Sequence, residues 1–220
     1  MNQDMILLGK NARLLGIELN ENQLFQFDVY NNELLNWNAK TNLISENSSG
    51  EIITRHFLDS LTAWQFISRP AAQMIDIGSG AGFPGIPLKI VQPALEIYLV
   101  EANRKKVSFL KHIIRLLNLS SVNVLHDRVE NVMKNDALNE RFDILISRAT
   151  FKLDELLPLC DFFLSPDGQL IALKGPKVDE ELKQCFPVKN KHKISQLIQH
   201  DIDAVFFDAQ RKIIIGKKKK

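Results

Sequence analysis

Apolar residues in the first 70 positions recur at the spacing of amphipathic helices. Asn20 followed three residues later by Gln23 is typical of a helix start, because each side chain can satisfy the other's backbone N–H. A loop is expected over residues 47–50, where Asn, Ser, Ser and Gly follow one another. The two apolar stripes are Leu24, Phe27, Leu34 and Trp37 before this loop, and Ile53, Phe57, Leu61 and Trp64 after it. The pattern predicts a helical segment with both tryptophans in the core.

From residue 74 onward, short apolar runs alternate with helical stripes. Candidate strands are residues 74–77, 96–100, 122–126, 142–147 and 169–174. One helix is predicted over residues 104–117, and a second between the fourth and fifth strands. Their inward-facing residues are Val107, Leu110, Ile114 and Leu117 in the first, and Leu153, Leu156, Leu157, Cys160 and Phe163 in the second. This alternation predicts an α/β fold with a doubly wound parallel sheet.

The last segment contains three candidate strands without full helices between them, at residues 194–198, 205–207 and 212–215. Parallel neighbours need long crossover connections, so an antiparallel end to the sheet is expected. The predicted organisation is a helical extension over residues 1–70, a main domain over residues 71–216 and a basic tail over residues 217–220.

Composition narrows the class of protein. With 220 residues, of which 45% are hydrophobic and 25% charged, the chain resembles a globular protein with a full core. No apolar run approaches the roughly 18 residues of a membrane span, and a signal-peptide pattern is missing. Cys160 and Cys185 lack CxxC or His-rich neighbours. We therefore expect two buried thiols, no metal site and a cytoplasmic setting.

The charge is unevenly distributed along the chain. The net charge is +2, but the four terminal lysines supply +4, so the rest of the chain carries −2. A nearly neutral body with a cationic end suggests either an anionic partner contacted by specific patches or a solubilising terminus.

Residues 74–87 carry the strongest chemical signal. An apolar run ends in Asp76, and four glycines follow it: Gly78, Gly80, Gly82 and Gly85. Glycines allow the backbone to approach a ligand closely, and the next helix presents free N–H groups. Residues 80–85 match GxGxxG, and Glu101 lies 21 residues after Gly80. Both features agree with a dinucleotide-binding fingerprint, in which such an acid binds the ribose.

The position of Asp76 favours a different cofactor. An acid at the strand tip would repel a pyrophosphate but attract the cationic end of S-adenosylmethionine, directly or through water. In this interpretation the first three glycines admit the methionine portion, Glu101 accepts hydrogen bonds from the ribose and residues 126–130 frame the adenine. A nicotinamide enzyme is the alternative.

The loop and several other motifs resemble one family. Residues 76–88, DIGSGAGFPGIPL, are similar to the signature of the bacterial small-subunit ribosomal RNA guanine-N7 methyltransferases, the RsmG or GidB family. Further motifs agree in order and spacing over most of the chain. They are Trp37-Asn38 with Asn42-Leu43, residues 55–60 (RHFLDS), Lys105-Lys106 with Phe109-Leu110, and residues 128–130 (RVE), 147–149 (SRA) and 172–175 (ALKG).

The resemblance implies the Rossmann-like fold of class I S-adenosylmethionine-dependent methyltransferases, a mainly parallel seven-stranded sheet with an N-terminal helical extension. It implies methyl transfer to N7 of one guanine in 16S ribosomal RNA, with the naked RNA or the small ribosomal subunit as partner. The cofactor-binding residues that it implies are Gly78, Phe83, Val129, Glu130 and Arg148. The loop interpretation adds Asp76, Gly80 and Gly82, and the ribose argument adds Glu101.

Guanine N7 has an in-plane lone pair and no proton, so we expect no general base and no catalytic acid–base residue. Alignment of the reactants should supply the rate. Arg148 follows the fourth strand, where it can contact the cofactor, guanine O6 or a phosphate. Arg55, His56 and Lys174 are the other candidates for substrate contacts. The alternatives are helix-surface pairing of Arg55 with Asp59 and a solvated Lys174.

Two other functions remain open. One is a methyltransferase for another substrate, and the other is a ribosome-associated binding protein that retains the cofactor fold without catalysis. The basic stripe on the helix over residues 104–117 is either an RNA contact or a solvated face. It consists of Lys105, Lys106, Lys111 and Arg115.

Overall fold

The computed structural model describes residues 2–189, 191–207 and 210–219. Its strands are β1 (Gln73–Ile77), β2 (Glu96–Val100), β3 (Val122–Leu125), β4 (Phe142–Arg148), β5 (Leu164–Lys174), β6 (Ile194–Ile202) and β7 (Arg211–Lys218). Within the described residues these seven strands form one sheet in the order β3-β2-β1-β4-β5-β7-β6. Strands β1 to β5 are parallel, and β7 pairs antiparallel with β5 and β6. The predicted doubly wound sheet with an antiparallel end is confirmed.

One predicted strand is wrong. Residues 205–207 lie in a turn, where the Phe207 N–H donates to the Ala204 carbonyl at 3.1 Å. Val205 is 91% exposed, so its apolar side chain does not mark a strand that packs on the core.

The helices cover both faces of the sheet. They are α1 (Gln3–Leu14), α2 (Glu21–Thr41), α3 (Ser49–Ile52), α4 (Asp59–Leu61), α5 (Gly85–Val91), α6 (Arg104–Leu116), α7 (Val129–Val132), α8 (Leu153–Phe163) and α9 (Val178–Lys189). A π-helix over Ile53–Leu58 joins α3 to α4, and short 3₁₀ turns lie at Trp64–Phe66 and Asp136–Leu138. Helix α9 was not predicted, because the sequence there lacks a clear apolar stripe, although its acidic first turn favours a helix start.

The predicted start of α2 is confirmed. Asn20 Oδ1 accepts a hydrogen bond from the Gln23 N–H at 2.9 Å, and Gln23 Oε1 accepts one from the Asn20 N–H at 3.0 Å. The loop near residues 47–50 ends earlier than predicted, because the Ser48 side chain caps α3 and Gly50 lies inside that helix. The N-terminal region is helical, as predicted.

Two apolar clusters form the core. The larger one joins the N-terminal helices to one face of the sheet, and Trp37 and Trp64 pack against it as predicted. The smaller one contains the predicted inward face of α8, fully buried, and the two free cysteines are buried with it. In α6 the fully buried positions are Phe109, Leu110 and Ile113, whereas the predicted Ile114 is partly buried. Since the N-terminal helices share a core with the sheet, the boundary between residues 70 and 71 stays a prediction.

The predicted basic tail begins later than expected. Strand β7 extends to Lys218, whose side chain is 1% exposed. Its ammonium donates to the Glu140 carboxylate at 2.9 Å and to the carbonyls of Asp161 and Leu164 at 2.8 and 2.6 Å. The tail prediction is therefore wrong for residues 217 and 218, and Lys220 lies outside the described residues.

Candidate functional site

A cleft of about 600 Å³ opens at the carboxyl ends of β1 to β4. The strand order reverses between β1 and β4, and open α/β sheets bind ligands at such a switch point. The N-terminal region closes one side of the cleft with residues 43–46 and His56. The volume is that of a small-molecule site.

The glycine loop after β1 forms the floor next to the sheet. Gly80 has φ +60°, and a Cβ added there would meet only the Gly78 carbonyl oxygen, at 4.0 Å. Gly82 has φ +107°, but a Cβ there would lie 2.6 Å from Ile86 and 2.7 Å from the Tyr30 hydroxyl. Gly78 and Gly80 line the cleft, and Gly82 does not. Gly82 therefore serves packing, whereas Gly80 leaves room for a ligand.

Asp76 lies beneath the loop. It is fully buried and is not among the residues that line the cleft. Its Oδ2 accepts a hydrogen bond from the Gly85 N–H at 2.9 Å, while its Oδ1 is buried without a hydrogen-bond partner among the described residues. Burial raises the pKa of Asp76 to about 7, against the opposing effects of the Gly85 hydrogen bond and the charge of Arg148.

Glu101 stands at the end of β2 and faces the cleft. Its Oε2 accepts a hydrogen bond from the Gly80 N–H at 2.9 Å, and its Oε1 accepts one from the Asn103 N–H at 2.7 Å. A carboxylate has about four acceptor positions, so each oxygen keeps capacity for a hydroxyl donor. The segment after β3 completes this side through residues 127–130, which include the predicted Val129 and Glu130.

The opposite side of the cleft is built around the Phe83 ring. The His56 ring stacks on it at 4.6 Å between centroids and 22° between planes, and the Arg148 guanidinium lies 5.1 Å from the ring centroid. Arg148 Nη2 donates to His56 Nδ1 at 2.7 Å, and His56 Nε2 lies 2.7 Å from the Glu46 carboxylate.

Both ring nitrogens of His56 are occupied. Because arginine is only a donor, His56 Nδ1 must accept, and its proton is therefore on Nε2 and is donated to Glu46. Burial and then the charge of Arg148 lower the pKa of His56, although Glu46 and Asp59 act in the opposite direction. The imidazole is neutral.

The other predicted substrate contacts lie elsewhere. Arg55 does not line the cleft, and its side chain lies 3.8 Å from Glu46 and 3.7 Å from Glu51. Lys174 ends β5 as expected, but it is buried and donates to the Glu181 carboxylate at 2.7 Å and to the Phe151 carbonyl. Lys174 is therefore not solvated, and its contact with an RNA phosphate stays a prediction.

Tyr30 is a supporting residue that the sequence interpretation missed. It is fully buried in α2, and its hydroxyl donates to the Ala81 carbonyl in the glycine loop at 2.6 Å. Its ring stacks on Phe83 at 5.6 Å. Tyr30 lies three residues after Phe27 and four before Leu34. This spacing places Tyr30 on the predicted apolar stripe. Because a buried tyrosine hydroxyl requires an acceptor, its position was the signal that could have identified it.

Two further observations concern metal ions and membranes. Within the described residues there is no group of three or more His, Cys, Asp or Glu side chains that could hold a metal ion. None of the helices in this part of the chain has the length and apolar character needed to cross a bilayer.

The sequence matches the family model GidB, described as rRNA small subunit methyltransferase G, over residues 23–214. Two relatives bear the name ribosomal RNA small subunit methyltransferase G. The protein from Desulforamulus reducens is 36% identical over all of this chain and 92% of its own length. The protein from Syntrophus aciditrophicus is 44% identical over 86% of this chain and 78% of its own.

Two solved structures share the fold. The precorrin-6y C5,15-methyltransferase of Geobacter metallireducens superposes with a TM-score of 0.56 at 16% identity, over 82% of this chain and 92% of its own. TYW2 of M. jannaschii in complex with AdoMet superposes with a TM-score of 0.51 at 21% identity, over 70% of each chain.

Proposed function

The chain belongs to the GidB family, rRNA small subunit methyltransferase G, and from that membership we propose that it methylates N7 of a guanine in 16S ribosomal RNA. The proposed methyl donor is S-adenosylmethionine, and the partner is the naked RNA or the small ribosomal subunit in the cytoplasm. The observation that carries the proposal is the cleft itself. On one side lie the open glycine loop and the Glu101 carboxylate, which can bind ribose hydroxyls, and on the other side lie Arg148 and the stacked His56.

The residues of the cleft fit this cofactor. Gly80 leaves space where a side chain would stand. Both oxygens of Glu101 keep acceptor capacity for ribose hydroxyls, and Val129 and Glu130 would frame the adenine. Asp76 would not touch the cofactor but would hold the glycine loop from beneath, because its carboxyl group accepts a hydrogen bond from the Gly85 N–H. When bound, S-adenosylmethionine supplies an electrophilic methyl group.

No residue of the cleft needs to remove a proton. Guanine N7 carries none, and His56 uses one ring nitrogen as an acceptor from Arg148 and the other as a donor to Glu46. The task of the side chains is therefore to orient the reactants and to stabilise charge. Arg148 retains N–H groups without a partner among the described residues, since three of its five donors are used by Arg55, His56 and Asp59.

This mechanism predicts how the rate depends on pH. At saturating cofactor, the plot of kcat for N7 methylation against pH should show no steep change near neutral pH caused by titration of a histidine. His56→Gln should lower kcat, because it changes the packing on Phe83, but it should leave the shape of the pH–rate profile unchanged. A limb in the wild type that disappears in His56→Gln would contradict a reaction without a general base.

Methyl transfer and cofactor binding test the proposal together. Tritiated S-adenosylmethionine is incubated with unmodified 16S rRNA, both naked and as assembled small subunits, and mass spectrometry identifies the product base. Calorimetry with S-adenosylhomocysteine measures cofactor binding separately. We expect binding and a 7-methylguanine product. Binding without transfer to either RNA would favour another substrate or a non-catalytic protein, and binding of NADH alone would exclude the proposed cofactor.

A further inference from the structure

Asp59 holds two arginines at the edge of the cleft. Its Oδ2 accepts a hydrogen bond from Arg148 Nη1 at 3.0 Å, and its Oδ1 accepts one from Arg211 Nε at 2.9 Å. The Asp59 side chain is 10% exposed. Because Arg148 ends β4 and Arg211 begins β7, one carboxylate joins the N-terminal helices to two strands of the sheet.

The helical segment around Asp59 supplies all three acceptors of Arg148. Besides Asp59, these are the Arg55 carbonyl at 2.8 Å and His56 Nδ1 at 2.7 Å. The Arg55 carbonyl would bond the Asp59 N–H in a regular α-helix, but that N–H donates to the His56 carbonyl instead. The Arg55 carbonyl that contacts Arg148 thus lies in a π-helix, a form that often occurs at functional sites.

The charges make Asp59 necessary for this arrangement. Arg148 and Arg211 share one largely buried carboxylate, and His56, which lies between Arg148 and Glu46, is neutral. Removal of one member of a buried ion pair leaves an uncompensated charge. Without Asp59, Arg148 and Arg211 would lose their shared counter-charge, and only the Arg55 carbonyl and His56 would hold Arg148 over Phe83.

We propose that Asp59 is a positioning residue for methyl transfer, which fixes the guanidinium of Arg148 on the wall of the cleft. The inference rests on the proposed function, because it assigns Arg148 to the bound reactants. Asp59 itself does not line the cleft. It acts through Arg148, and Arg211 holds its second oxygen.

The test uses the full chain with Asp59→Asn, which keeps the size of the side chain but removes its charge. We expect kcat to fall roughly a hundredfold, as for a misplaced catalytic group, and the Kd of S-adenosylhomocysteine to rise. Asp59→Glu keeps the charge and should recover a large part of both losses, and it also provides a variant if Asp59→Asn folds poorly. In the double variant with Arg148→Ala, the losses should not exceed those of Arg148→Ala alone.

Asp179→Asn is the matched control. It breaks an ion pair of similar length, with Lys212 at 2.8 Å, away from the cleft. It should leave kcat and the Kd of S-adenosylhomocysteine unchanged. The inference is overturned if Asp59→Asn retains wild-type kcat and Kd, or if its losses add fully to those of Arg148→Ala.

The two proposals fail in different ways. If the wild-type protein binds S-adenosylhomocysteine but does not methylate rRNA, the proposed function fails. The role of Asp59 in holding Arg148 is then decided by the binding measurements alone. If the wild-type protein methylates rRNA and Asp59→Asn matches it, only the inference about Asp59 fails.

Discussion

At the scale of single residues, the acid before the glycine loop has a raised pKa. Burial raises the pKa of the Asp76 carboxyl group to about 7, well above the usual range of an aspartate. Stability from this group is therefore fully present below the unfolded pKa and is lost as the pH rises through 7. At about 1.4 kcal/mol for each pKa unit, the loss by pH 8 is about 4 kcal/mol.

Urea unfolding at pH 5 and pH 8 measures this effect. Asp76→Asn resembles the protonated form, so its stability relative to the wild type should increase between the two values. The lowered pKa of His56 has the opposite effect, because it reduces stability as the pH falls below 6.5. Both proteins contain His56, so its contribution cancels in the difference. Parallel pH dependences of the two proteins would show that Asp76 is ionised throughout.

Two glycines of the same loop should respond differently to alanine. Gly80→Ala costs about 1 kcal/mol of backbone strain, and its new methyl group enters the cleft. The variant should fold and bind S-adenosylhomocysteine at least tenfold more weakly. Gly82→Ala places its methyl group against Ile86 and Tyr30. The melting temperature of this variant should therefore be several degrees lower than that of Gly80→Ala. Thermal melts and calorimetry on both variants provide the measurement, and equal melting temperatures would contradict the assignment.

The sequence predicted which residues would gather at the site better than it predicted their roles. Gly78, Gly80, Phe83, Glu101, Val129, Glu130 and Arg148 all line the cleft. Spacing identifies the strand end that a residue follows, but not whether its side chain faces ligand or protein. The sequence therefore did not reveal that Asp76 lies beneath the loop, that Gly82 faces Ile86 and Tyr30, or that Lys174 is bound to Glu181.

At the scale of secondary-structure elements, α2 supports the glycine loop through one hydroxyl group. Tyr30→Phe removes the hydrogen bond to the Ala81 carbonyl and leaves a buried acceptor unpaired. The free energy of unfolding should fall by about 1–3 kcal/mol. Binding of S-adenosylhomocysteine should also weaken, because the glycine loop loses the hydrogen bond that holds it in place. Calorimetry and urea unfolding check both effects.

Tyr98→Phe is the control for Tyr30→Phe, since Tyr98 lies in β2 and bonds Glu96 and Arg141 instead of the loop. It should leave cofactor affinity unchanged. If both variants bind S-adenosylhomocysteine as the wild type does, α2 does not brace the loop.

Helices and strands with a clear period were predictable, and irregular elements were not. The inward face of α8 and the capping box of α2 follow from local patterns. The π-helix over Ile53–Leu58 has the same apolar spacing as an α-helix, so only the partners of its carbonyls reveal it. The strand predicted at residues 205–207 failed because apolar residues also occur in exposed turns.

At the scale of the whole molecule, β7 holds the end of the chain inside the fold. Lys218→Ala removes a buried ammonium that satisfies Glu140 and two carbonyls. The free energy of unfolding should fall by about 3 kcal/mol. Lys219→Ala, at an exposed position, should change it by less than about 0.5 kcal/mol. Equal effects in urea unfolding would mean that Lys218 is solvated in solution.

The wall that residues 43–46 and His56 contribute to the cleft has a consequence for protein engineering. The same N-terminal region that braces the glycine loop through Tyr30 also borders the cleft and orders Arg148 through Asp59. The N-terminal region and the glycine loop are therefore not separable modules of this enzyme. A chimaera that receives its first 70 residues from a relative should change the affinity for S-adenosylhomocysteine even though its glycine loop is unchanged.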